Sequence, residues 1–227
     1  NTITKIKNPI YAAADIGLKL VELLKKKQEK TKFVFGIGLS TSKCYMGTIG
    51  SNEKRSWKSI GPALPRGLVM SQLSILLETP LLMDEDCEST LSETEFQRRL
   101  ADQVYLRDQG TIRVYQLVSR VIYKNDEWIY ELRNKESSSW CSSYNDAVDA
   151  LKHDNLSEAT QHIESFLLKH KHDFLGKNLS SLINHLYQSN ISFEDYLEHQ
   201  DESDLAVGSL FKSYFIQNNP IFSNKSE

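Results

Sequence analysis

The chain has 227 residues, of which 40% are hydrophobic and 25% charged, with a formal net charge of -3. This is the make-up of an ordinary soluble globular protein, with no global basic field to attract nucleic acid or anionic lipid. Its longest apolar runs fall well short of the roughly 20 residues that a bilayer span requires. Its three cysteines, Cys44, Cys87 and Cys141, are far apart and form no C-x-x-C pair, which predicts reduced thiols rather than a disulfide framework or a zinc site.

Residues 9–27 are predicted to form an amphipathic helix. Pro9 suits a first turn, and Ile10, Ala13, Ala14, Gly17, Leu20, Val21 and Leu24 recur at helical spacing. Lys25, Lys26 and Lys27 put cations at the negative end of the helix dipole and read as a solvated helix end rather than a binding patch. Two strand-like runs follow, Lys32–Leu39 and Lys43–Ile49, and the polar Ser40-Thr41-Ser42 between them predicts that they pair as a hairpin. Gly36, Gly38, Gly47 and Gly50 lie in or beside these strands, where glycine marks a bulge or a close approach of another backbone. Gly36-x-Gly38 is not a dinucleotide fingerprint, because neither a third glycine nor an opening helix follows at the right offset.

Beyond the polar loop Ser51–Arg55 come a strand at Trp57–Ile60 and the pair Gly61-Pro62. A helix is expected from Pro62 to near Leu77, with Pro65 tolerated only in its first turn. Leu81–Met83 reads as a strand, and Ser92-x-x-Glu95 has the form of a capping box opening a short helix through Leu100. Val104–Leu106 and Ile112–Val118 are expected to pair across Asp108-Gln109-Gly110, and Val121–Tyr123 with Trp128–Tyr130 across Asn125-Asp126. The serines at 137–139, with Ser142 and Ser143, mark a change of character. Helices are then predicted over 145–153, 157–170, 174–188, 192–199 and 204–217. Ala147, Leu151, Leu156, Ala159, Ile163, Phe166 and Leu167 would pack the first two as an antiparallel hairpin that looks like one tetratricopeptide-type unit. Solenoids need about three units to bury their faces, so a single one is expected to be an appendage.

Several candidate sites are set aside on chemical grounds. His170 and His172 are two apart and do not share a helix face as metal ligands should, and no cysteine lies near them or near His153 in sequence. Ser40–Ser42 lack a G-x-S-x-G elbow and fit turn chemistry. There is no Walker A sequence. Glu194 and Asp195 open a helix, where carboxylates suit the dipole. The scattered tyrosines and tryptophans read as core or interface rather than a base-stacking platform.

One set of residues carries a family resemblance. Gly36-Ile37-Gly38-Leu39-Ser40-Thr41-Ser42, then Met46-Gly47-Thr48-Ile49-Gly50-Ser51, then Arg55-x-Trp57-x-x-Ile60-Gly61 resemble class III adenylyl and guanylyl cyclases. The pattern there reads roughly I-G-I-H-x-G, G-x-x-G and R-x-x-Y-x-x-I-G-D-x-V-N-x-A-x-R-L. The order of elements agrees as well, from the alanine-rich helix to the hairpin ending in Val114-Tyr115-Gln116-Leu117. The match spans roughly residues 8–118.

The resemblance implies that two such domains pair head to tail, with nucleotide at the shared interface. Two metal-holding aspartates come from the front of one domain, and an asparagine and an arginine from the helix after I-G-D orient ribose and phosphates. In-line attack on the α-phosphate needs divalent metal and a preorganised cation. Without gaps, Pro62 stands at the aspartate position after Ile60-Gly61, Pro65 at the asparagine position and Val69 at the arginine position. Arg66 lies three residues before Val69, nearly a full turn from where the charge is needed. No residue ahead of Asn8 resembles the metal-bearing front, Asp15 is expected to face solvent, and a chain opening on Asn1 is expected to be a segment of a larger parent.

The expected fold is therefore α+β: a partial class III cyclase (ferredoxin-like) domain over 1–135, front part missing, with a helical, tetratricopeptide-like appendage over 136–227. The expected function is a catalytically degenerate cyclase-homology module, a scaffold or regulatory half in a larger assembly. Ile60, Pro62, Pro65 and Val69 are its degenerate nucleotide-pocket positions, with no catalytic residue or metal ligand of its own. Its expected partner is a second cyclase-like domain, on the same or another chain, with Mg²⁺ or Mn²⁺ entering only with an active parent. The alternative is the metal-aspartate half of a heterodimeric adenylyl or guanylyl cyclase, making cyclic nucleotide from ATP or GTP. A third reading gives the tail the main role, with Leu205–Phe215 and the apolar Tyr214, Phe215, Ile216 and Phe222 docking a partner. The expected setting is the cytoplasm, and the Lys, Asn and Ser content points to a ciliary protein of a protist.

Overall fold

The computed structural model describes residues 8–106, 110–121, 141–198 and 207–209. The architecture is mixed α+β, and the chain divides into two compact units, Asn1–Leu91 and Ser92–Glu227.

In the first unit, α1 (Pro9–Gln28) starts where expected. Asn8 Oδ1 accepts from the backbone N–H of Ile10 at 3.1 Å and of Tyr11 at 3.3 Å, and proline occupies the first turn. Its buried residues are small, Ala14 and Gly17. A Cβ at Gly17 would stand 3.3 Å from the methyls of Leu81, so the helix lies close over the strands. β1 (Ile37–Leu39) pairs in parallel with β4 (Leu81–Asp84), Ile37 opposite Leu81 and Leu39 opposite Met83. Parallel strands need a crossover, which α2 (Ala63–Leu76) supplies. β4 is buried along its whole length.

The expected hairpin between 32–39 and 43–49 does not form. β2 (Tyr45–Gly50) instead pairs antiparallel with β3 (Arg55–Ile60), in register from Tyr45 opposite Ile60 to Gly50 opposite Arg55. Turn chemistry decides it. Ser51 Oγ accepts from the N–H groups of Glu53 at 3.3 Å and Lys54 at 3.2 Å, and Gly50 has φ of +143°, which only glycine adopts without strain. Ser40–Ser42 are a link between β1 and the hairpin. After β4 comes the single turn α3 (Glu85–Glu88), capped by Asp84, whose Oδ1 accepts from Cys87 N–H at 2.9 Å.

The second unit opens with a correction. Ser92-x-x-Glu95 does not cap a helix. Ser92 carbonyl accepts from Glu95 and Phe96 N–H in a tight turn, and the chain enters β5 (Phe96–Leu106). β5 pairs antiparallel with β6 (Gly110–Arg120), from Phe96 opposite Arg120 to Leu106 opposite Gly110, with register shifts after Gln97 and after Leu100. This confirms the pairing of Val104–Leu106 with 112–118 and lengthens it. On the other edge of β5, β7 (Val207–Ser209) pairs at Val104–Leu106, so a helix over 204–217 does not hold at 207–209. The rest of that helix, the docking segment Leu205–Phe215 apart from β7, the turn at Asp108 and Gln109, residues 122–140 with the expected 128–130 strand, the serines at 137–139 and the boundary at 135/136 lie outside the described residues, as do Tyr214, Phe215, Ile216 and Phe222.

Helices follow as the periodicity predicts: α4 over 141–152, α5 (Leu156–Lys169), α6 (Phe174–Ser189) and α7 (Phe193–Glu198). Asn155 and Asp173 cap α5 and α6, accepting from Glu158 N–H at 3.3 Å and Gly176 N–H at 2.7 Å. Ala147 and Leu151 of α4, Ala159, Ile163 and Phe166 of α5, and Leu179, Leu182 and Leu186 of α6 are buried. Among the described residues no helix is long and apolar enough to cross a membrane.

The thiols give a direct check on these burials. Cys44 is exposed, while Cys87 and Cys141 are buried. Burial pushes the Cys141 thiol up to about 12, and burial followed by the negative charge of Asp84 pushes Cys87 well above its ordinary range. The thiolate is the reactive form. Alkylation of the native chain at pH 8 is thus expected to label Cys44 first, with Cys87 and Cys141 labelled only after denaturation, as read by mass spectrometry of the digested protein.

Candidate functional site

The carboxyl ends of parallel strands are where open sheets place ligands. Here β1 and β4 end at Leu39 and Asp84, and side chains converge just beyond. Asp84 is 1% exposed. Its Oδ2 accepts a short hydrogen bond from Ser40 Oγ, its Oδ1 caps α3, and Arg66 Nη1 stands 4.0 Å from Oδ2. The same Arg66 nitrogen donates to Asp86 Oδ2 at 2.8 Å. A buried carboxylate is held by two neutral donors and a nearby guanidinium, which answers its desolvation.

Arg66 reaches this place because α2 starts immediately after Gly61-Pro62. Pro62 precedes its first turn with no side-chain cap. The residues singled out from sequence sit around that start. Ile60 ends β3 and is 57% exposed, Pro62 and Pro65 are exposed, and Val69 is half-buried. The i, i+3, i+7 spacing places Pro62, Pro65 and Val69 on one side of the helix, next to the exposed Leu68. None of Pro62, Pro65 and Val69 carries a charge or a side-chain hydrogen-bonding group. Arg66, the only cation in the α2 sequence, turns to Asp86 and Asp84. Asp15, expected in solvent, is half-buried on α1.

The residues that sequence reasoning missed are Asp84, Asp86 and the role of Ser40. Asp84 was findable as an N-cap, because an aspartate closing an apolar strand ahead of Glu85-Asp86 is a helix-start signal. Its contact with Ser40 spans 44 positions and leaves no local signature. These carboxylates do not fit a divalent cation: Arg66 already sits against both. Among the described residues, no group of three or more His, Cys, Asp or Glu is arranged to hold a metal.

Close packing behind the site explains Gly38 in β1 and Gly36 just before it. A Cβ on Gly38 would overlap the Gly67 carbonyl and the Ser71 N–H, and one on Gly36 would overlap the Ser71 carbonyl. The backbone of α2 therefore rests directly on that of β1, with Ser71 Oγ donating to the Gly36 carbonyl at 2.9 Å.

No family model and no curated protein matches the chain. Among solved structures, it is similar to a bacterial light-regulated adenylyl cyclase at 19% identity and a TM-score of 0.43, covering 56% of this chain and 38% of that one. A second structure of a bacterial light-regulated adenylyl cyclase matches at 21% identity and a TM-score of 0.33, covering 44% of this chain and 28% of that one. The chain thus spans less than half the length of either protein.

Proposed function

We propose that the chain is the rear part of a class III nucleotidyl cyclase-like domain, serving as a non-catalytic scaffold or regulatory half. The observation that carries this reading is the side of α2 bearing Pro62, Pro65 and Val69. A ribose needs a hydrogen-bonding side chain and a developing phosphate charge needs an aimed cation. These three residues offer neither, and Arg66, one turn from Pro62 and from Val69, is held by Asp86 at 2.8 Å.

The β2–β3 hairpin supports a pairing role. Tyr45 is 86% exposed, Trp57 68% and Met46 63%. Tyr45 and Ile60 share one face by register and Met46 and Trp57 the other. A two-stranded hairpin is marginal alone, and exposed apolar residues grouped on both its faces mark a contact surface. A second cyclase-like domain is the partner this reading names. Mg²⁺ or Mn²⁺ would enter only with an active parent.

The test is equilibrium binding of ATP and GTP, with Mg²⁺ or Mn²⁺, to the full protein alone and with a cyclase-like partner domain. No metal-dependent binding in either setting is the expected outcome. Binding and turnover only with the partner would overturn it, and would make the chain the rear of the metal-aspartate half of a heterodimeric cyclase.

A further inference from the structure

The β2–β3 hairpin is a two-stranded ribbon with every residue of β3 exposed, and its charge is uneven. Lys43, Lys54, Arg55 and Lys58 against the single carboxylate of Glu53 leave it at +3 over residues 43–60, in a chain whose formal net charge is -3. We propose that the hairpin docks a protein partner whose apolar contact patch is rimmed by carboxylates, and not a second copy of the chain joined hairpin to hairpin. The inference rests on the pairing role proposed above and names the chemistry of the partner.

The register sets cations among the apolar residues on both faces of the ribbon. Lys58, opposite Gly47, shares one face with Tyr45, Ile49 and Ile60, and Arg55, opposite Gly50, shares the other with Met46 and Trp57. Lys54 stands at the turn and Lys43 at the base, and all four cations are exposed. Arg55 donates to the neutral Asn52 Oδ1 at 2.8 Å. Among the described residues, none of the four is in an ion pair with a carboxylate. Side chains of this kind lay their stems on apolar surface and keep the charged head outward.

Charge then selects the occupant. Aromatic residues and Met mark the centres of protein contacts, and the sign of the surrounding charge decides which partner is accepted. An isologous pair sets one patch against the same patch of the other copy. Hairpin against hairpin would bring both sets of cations together, with only Glu53 of each copy to offset them. A partner rimmed by carboxylates removes that conflict and turns each cation into an attraction. A lipid surface does not match the layout. Tyr45 and Ile60 lie at the base of the ribbon and Trp57 in its middle, while the turn carries Ser51, Asn52 and Glu53. Tip-first entry would desolvate a carboxylate before any of those three rings and aliphatic chains reached the bilayer.

The probe is the full chain with its hairpin charge reversed, Lys54→Glu, Arg55→Glu and Lys58→Glu together. It keeps every apolar residue of the hairpin and supplies the acidic rim. The three positions are exposed, so the variant is expected to keep the wild-type urea midpoint. Sedimentation velocity is run at about 0.01 M salt, where charge acts over about 30 Å. Wild type and variant are each expected to be monomeric, and an equimolar mixture is expected to form a heterodimer. Its affinity should fall about tenfold or more at about 1 M salt, where that reach shrinks to about 3 Å, and be lost when both copies carry Trp57→Ser. A mixture that stays monomeric, or whose association ignores salt or Trp57→Ser, overturns the proposal. So does self-association of the wild type that Trp57→Ser abolishes, which makes a second copy the partner and leaves the scaffold reading standing. Binding of the wild type to phosphatidylserine vesicles, lost in the reversed variant, overturns it in favour of a lipid surface. The scaffold reading fails on a different result, nucleotide turnover with a partner domain.

Discussion

Arg99→Ala is expected to lower the unfolding free energy by about 3–5 kcal/mol, the cost of breaking a buried ion pair from one side. Arg99 is 2% exposed. Its Nη1 and Nη2 donate to the two carboxylate oxygens of Asp173 at 3.0 and 2.8 Å, and its Nε donates to Gln116 Oε1 at 2.7 Å. The guanidinium carbon lies 4.8 Å from the Tyr144 ring centre and 5.6 Å from that of Phe166. One side chain on β5 therefore binds β6, α4, α5 and the start of α6. Alanine takes the guanidinium donors from the Asp173 carboxylate, which keeps only its cap to Gly176, and from the Gln116 amide, and opens a cavity between two rings. The double variant Arg99→Met with Asp173→Asn removes both charges yet keeps an amide to cap α6, since asparagine caps as well as aspartate. It is expected to regain more than half of the loss. Urea unfolding of the full chain, followed by circular dichroism, measures both. A loss below about 1 kcal/mol for the single variant, the range of exposed pairs, would reduce Arg99 to an incidental contact.

Gly38→Val is the second large effect. The atoms that a Cβ at Gly38 would overlap are mostly backbone, with the Met70 Cβ at 2.8 Å beside them. Backbone cannot swing aside as a flexible side-chain end can, so α2 must lift from β1. Overpacking of this kind costs about 1–3 kcal/mol, and more when the helix cannot adjust. Gly47 on β2 is the internal control, since a Cβ there meets nothing within 4 Å. Valine suits a strand, so Gly47→Val is expected to be neutral or mildly stabilising. Urea midpoints for the two variants test the contrast. Equal losses at Gly38 and Gly47 would mean that valine on a strand, rather than the contact with α2, sets the cost.

These two sites also mark how far a linear reading reaches. Apolar spacing and a proline in the first turn located α1, and apolar spacing located α2, α5 and α6. The strands at 37–39, 45–50, 55–60 and 81–84 were legible as short apolar or β-branched runs between polar links. Pairing was not. β1 and β2 looked like a hairpin because they are neighbours in sequence, yet the turn at 51–54 matched β2 to β3, and β1 found β4 across a helix.

The segment 92–100 went the other way. Glu95, Gln97, Arg98, Arg99, Leu100 and Ala101 favour a helix locally, but extended pairing with β6 buries Phe96, Ala101 and Val104 and carries Arg99 to Asp173. At the site, the absence of polar side chains at Pro62, Pro65 and Val69 could be read letter by letter. The union of Ser40, Arg66, Asp84 and Asp86 could not. Helix period, caps and turn residues act over a few positions and are written where they act. Strand partners and buried charge pairs join residues 44 and 74 positions apart, and their energy exists only once the surfaces that bury them have met.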